Sequence, residues 1–111
     1  MLTLLVPLVL GIVQAGLVLH VRNTITAAAT DGARAGAPLG ADPVQASDRT
    51  RTMIRAALDD RYAADVTAAD RRIDGTDVVE VRVRTEVPAL GLLGPAVPLD
   101  VTGHAVKEQA P

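Results

Sequence analysis

The chain has 111 residues, room for one small domain and too few for a large enzyme. Apolar residues make up 49% of it, yet Phe, Trp and Cys are absent, so the hydrophobicity rests on 19 Ala, 15 Val, 13 Leu and 4 Ile, and disulfides, thiolate metal sites and cysteine nucleophiles are excluded. A net charge of −2 supplies no field to draw in a phosphate backbone, so nucleic acid is not an expected partner.

The charge is unevenly spread. The first ionisable side chain is His20 and the first full side-chain charge is Arg22. Before them runs LTLLVPLVLGIVQAGLVL, Leu2 to Leu19, in which twelve of the residues are Leu, Ile or Val. As a helix this run is about 27 Å long, close to the thickness of a bilayer's hydrocarbon core. Twelve aliphatic residues favour insertion by about 4–7 kcal/mol, from which Thr3, Pro7, Gln14 and two glycines subtract part. The expectation is a helix that stays in the membrane. A buried soluble helix would need large apolar partners on every side, which the rest of the chain lacks. Ala27, Ala29, Ala35 and Ala37 offer cuts of the signal-peptide kind, giving a secreted alternative, but the run exceeds the ~7–15 apolar residues of a signal.

From His20 to Ala37 there is no proline and much alanine, so the helix is expected to continue out of the bilayer. At four-residue spacing it presents Thr24, Ala28, Gly32 and Gly36, a stripe of small side chains that lets another backbone approach closely. The plainer reading makes Gly32 and Gly36 a frayed end and a cap. Pro38, Gly40 and Pro43 then break the chain. Asp42 as N-cap and Pro43 in the first turn predict a second, amphipathic helix over 43–63, with Val44, Met53, Ile54, Ala57, Leu58, Arg61 and Tyr62 partly at helical spacing. Its outer side carries Asp48, Arg51, Arg55 and Asp59, the last two placed to pair.

Beyond Asp65 the period changes to two. A short strand over 65–73, a turn at Asp74-Gly75, and a strand in which Val79, Val81, Val83, Thr85 and Val87 alternate with charged residues predict a hairpin. A third strand is predicted from Pro98 to Val106, with Leu99, Val101, Gly103 and Ala105 on one side. Between them Pro88 to Pro98 forms a loop whose Leu90, Leu92 and Leu93 are either an interaction patch or a cover for the sheet. The expected class is α+β: a long membrane-spanning helix, a second helix, then a three-stranded antiparallel sheet. Residues 1–37 are expected to form the anchor with its extension and 38–111 a small domain beside the membrane. A core of that size seldom yields more than ~3–5 kcal/mol unaided, which points to a component of an assembly.

No chemistry is legible. Ser47 is the single serine, and His20 and His104 the only histidines, so a hydrolytic triad is not expected. Asp70, Asp74 and Asp77 hint at a calcium loop, but Arg72 and Val81 occupy positions that require oxygen ligands. No catalytic, cofactor-binding or metal residues and no small-molecule substrate are expected.

The stretch VPLVLGIVQAGLVLHVRNTITAAATDGARAGA, Val6 to Ala37, resembles the TadE-like family of tight-adherence pilus-assembly proteins. The resemblance rests on Pro7, on GIVQ at Gly11 to Gln14, on Arg22-Asn23, and on the alanine-rich stretch ending in GARAGA. It implies a pilin-like, non-enzymatic minor pilin or pseudopilin: a single-pass protein of the inner membrane with its C-terminal domain outside, whose partners are the lipid bilayer and other pilin-like or pilus-assembly proteins. Such proteins usually have a glutamate near the start of the mature helix, after a leader cut behind a glycine; Met1 stands about where that glutamate would be expected. The alternatives are a generic anchored binding domain and a secreted binding protein.

Overall fold

In the computed structural model, which describes residues 2–88 and 96–108, the elements are α1 (Leu2–Ala35), α2 (Pro43–Ala57), a 3-10 turn (Asp60–Ala63), β1 (Asp65–Ile73), β2 (Thr76–Val87) and β3 (Val97–Val106). The expected α+β order of two helices and an antiparallel sheet is what the chain adopts. The strands form a meander in the order β1-β2-β3, both pairs antiparallel. The long axis of the molecule is 68 Å, because the first half of α1 projects beyond the sheet with none of its apolar stretch buried.

The second half of α1 is a different environment on the same helix. Val21, Ile25, Ala28, Ala29, Gly32 and Ala33 are buried against α2, β2 and β3. The sheet meets them with Val79, Val81, Val83 and Val87 from β2 and Leu99, Val101 and Gly103 from β3, the alternation that the two-residue period predicts. The core therefore runs across the boundary expected at 37 and 38, since residues on both sides of it fill one cluster.

α2 begins as its sequence dictates. The Asp42 carboxylate accepts from Val44 N at 2.9 Å, and the Gln45 side-chain oxygen accepts from Asp42 N at 2.9 Å, closing a reciprocal cap ahead of Pro43. The helix ends at Ala57, six residues short of the expected Ala63. Asp59 and Asp60 would add negative charge at the negative end of the helix dipole, and Asp59 is extended instead. Tyr62 and Ala63 reach the core from the separate 3-10 turn. Because Asp59 is off the helix, the expected Arg55–Asp59 pair does not form; Arg55 pairs with Asp60 at 2.6 Å.

The β1–β2 turn has Asp74 at φ 50° and Gly75 at φ 81°, with Ile73 facing Thr76. Two positive φ values in a two-residue loop match the twist of the strands. Gly75→Val is expected to lower stability by about 1–2 kcal/mol, because a branched side chain is strained in this region; a fall in the urea midpoint without a change in slope measures it.

Candidate membrane and packing surface

Three surfaces of the molecule bear on function: the bare end of α1, the small-residue face of the same helix, and the charged outer face of the sheet. On the bare end, Leu2, Leu4, Val6, Leu8 and Ile12 are each at least 60% exposed, which water does not tolerate in a contiguous rod. Length and apolar composition make α1 a candidate membrane span, and its lack of burial sets it apart from the core helix of a soluble protein. Past the apolar run, Thr24 and Thr26 turn their hydroxyls back to donate to the carbonyls of His20 and Arg22, at 2.8 and 2.7 Å. Both side chains are thus satisfied on the helix's own backbone.

The expected stripe lies on the other half. Thr24 is half-buried, whereas Ala28, Gly32 and Gly36 are buried, and their neighbours belong to the same chain. A Cβ on Gly32 would lie 1.8 Å from Thr50 Oγ1 and 2.8 Å from Ala46 O; one on Gly36 would lie 2.9 Å from Ala46 Cβ. The Thr50 hydroxyl donates to Ala46 O at 2.9 Å and faces Ala28 O at 3.4 Å. Close backbone approach is therefore realised between α1 and α2. The α2 side of this contact departs in part from its sequence pattern: Ile54 is buried as the pattern suggests, but so are Ala46, Ser47 and Thr50, while Val44 is exposed. The signal that points to it is the pair of small residues Ala46 and Thr50 at four-residue spacing, matching the small residues of α1.

Gly103 makes a second close approach. A Cβ there would lie 2.6 Å from both Ala29 C and Thr30 N, so β3 touches the helix backbone itself. Gln14, a polar interruption of the apolar run, donates from its amide to Pro88 O at 3.3 Å, tying the apolar helix to the end of β2. Leu17 and Val18, one turn on, pack against the core. Leu90, Leu92 and Leu93 lie outside the described residues.

The outer face of the sheet carries cross-strand ion pairs. Glu80 pairs with Arg71 at 3.3 Å and is within hydrogen-bond distance of His104 Nε2 at 3.2 Å, Lys107 meets Asp70 at 2.8 Å, and Arg82 grips Asp100 through two nitrogens. Ser47 is elsewhere, on α2, donating to Val44 O at 3.0 Å, so the structure does not bring it to His104. Among the described residues, no three His, Asp or Glu side chains cluster as metal ligands.

The Arg82 hydrogen bonds, followed by the charges of Arg82 and Arg84, hold the Asp100 carboxyl below the usual carboxylate range, and the same pair raises Arg82. A depressed carboxylate contributes stability that is present above its unfolded pKa, about 3.9, and lost as pH falls through its folded value. Both groups are exposed, so the effect is small. The urea midpoint of Asp100→Asn is expected to lie below that of the parent at neutral pH, the gap closing as pH falls through the depressed pKa of Asp100.

The bare helix and its clasped continuation lie on one uninterrupted element, α1. Residues 1–34 match the family model for TadE-like protein. The match ends one residue before the end of α1 and takes in both its apolar and its packed halves. No curated protein matches the chain, and no solved structure does. The similarity to TadE-like proteins thus covers about a third of the chain and lies on the helix, over nearly the same residues that carry the resemblance in the sequence.

Proposed function

We propose that the chain is a non-enzymatic, membrane-anchored component of a tight-adherence type pilus assembly or secretion system, a minor pilin or pseudopilin. The observation that carries this reading is the TadE-like match on a helix that is bare over its apolar half and built into a domain over the other. The apolar half partitions into the inner membrane, and the outer half of α1 with residues 38–111 forms one extracytoplasmic body. Since α2 already occupies Ala28, Gly32 and Gly36, lateral association with other pilin-like helices uses the bare half, where a Cβ on Gly11 or Gly16 would meet nothing within 4 Å.

The packing also weighs against the secreted alternative. A cut near Thr30 would remove Val21, Ile25, Ala28 and Ala29 from the core, leaving the sheet's inner face without its cover. The reading is tested by photo-crosslinking in cells from Leu8 or Ile12, positions exposed in the isolated chain. Crosslinks to pilin-type or platform membrane proteins are expected. Crosslinks to lipid alone at every position along the bare half would favour a generic anchored domain.

A further inference from the structure

The contact between Gln14 and Pro88 fixes how far down the anchor the domain reaches. Gln14 lies six residues before His20, the first ionisable side chain, and so about 9 Å deeper along the helix. Its amide meets the carbonyl of Pro88, immediately after β2, while Leu17 and Val18 pack against the same core as Val87 and Val97. β3 starts at this end and runs to Val106, beyond which Glu108 N donates to Ala37 O at 2.8 Å at the far end of α1. The sheet is thus laid along the helix from Gln14 outward, and its lower end is level with the apolar run.

We propose that this end of the sheet, Val87–Pro88 with Ala96–Val97, is seated in the interfacial layer of the bilayer that α1 crosses, so that lipid holds the domain at a second place. This rests on the anchored reading of α1. If the run from Leu2 to Leu19 fills the hydrocarbon, a domain docked at Gln14 cannot stand clear of the headgroups. The residues at this end suit that position. Pro88 and Pro98 have no N–H to leave unsatisfied near lipid, and the Pro88 carbonyl has the Gln14 amide. Arg61 and Arg84 border the same depression as Pro88 and Ala96, together with Glu86, at a height where long basic side chains reach lipid phosphates. Charged residues lie at both ends of the sheet, Arg72, Asp74, Asp77 and Lys107 at the far one and Asp65, Arg84 and Glu86 at this one, so what sets this end against lipid is its height along α1.

The absence of cysteine allows single-site labelling of the full chain. Ala96→Cys and, separately, Glu86→Cys carry an environment-sensitive fluorophore, with Ile12→Cys, two residues from Gln14, as the reference on the anchor and Asp77→Cys as the distal reference. The proteins are reconstituted into phosphatidylcholine–phosphatidylglycerol vesicles containing lipid with a nitroxide high on the acyl chain. Quenching at 96 and 86 is expected to exceed that at 77 several-fold. Strong quenching at 12 with 96 and 86 no more quenched than 77 overturns the inference and leaves the anchor standing. Absence of quenching at 12 overturns the anchored reading, and this inference with it.

Discussion

Replacing Gly103 by leucine is expected to unfold the domain while leaving α1 in the membrane. The first added carbon would lie 2.6 Å from Ala29 C and Thr30 N. Both are backbone atoms of a helix that is also held by α2, so neither can turn aside as a side-chain tip would. Overpacking a filled core costs about 1–3 kcal/mol when side chains can yield, and backbone on the far side puts this site at the upper end or beyond. A core of this size has about 3–5 kcal/mol to lose. Limited proteolysis of membrane-bound protein is the direct measurement: the variant's sheet should be degraded under conditions that spare the parent, and an unchanged resistance would mean that α1 does not lie against β3. Gly32→Leu should behave similarly, because Thr50 and Ala46 O occupy the space. A loss of pilus assembly in that variant would therefore report a broken domain before it reported a lost intermolecular contact.

The second large effect is on the anchor. Val9→Arg with Val13→Arg places two cations in the bare half of α1, where no residue is buried. Each arginine costs about 2.5–3.5 kcal/mol at the centre of a spanning helix, and each lost valine removes a further ~0.3–0.6. The total of about 6–8 kcal/mol matches or exceeds the ~4–7 that the aliphatic residues supply. The double variant is expected to leave the membrane fraction with its domain folded, since neither position belongs to the core. Retention in the membrane at the parent's level would contradict insertion of this segment.

Much of the architecture was legible because the periods were clean. Val79 to Val87 alternate with charged residues, Asp74-Gly75 permits the two positive φ values a tight hairpin requires, and the apolar run stops at His20. The end of α2 was not legible, because Tyr62 falls at helical spacing and periodicity alone cannot see that two aspartates oppose the helix dipole. The packing surface was half legible. The small residues of α1 announced a close approach, but a stripe does not name its partner, and the answering residues on α2 are Ala46 and Thr50, too small or too polar to stand out in a hydrophobic pattern. Gly103 and Gln14 were invisible for a related reason: each acts through one backbone contact made across a long stretch of sequence, with Ala29–Thr30 and with Pro88.

All of this depends on the bare half of α1 residing in lipid. Alkaline carbonate extraction of membranes, with the mass of the recovered chain determined, tests it most directly. With the bare half in lipid, the chain stays in the membrane pellet with Leu2 to Leu19 still attached. Recovery of the chain in the soluble fraction, whether whole or cut within α1, would contradict it.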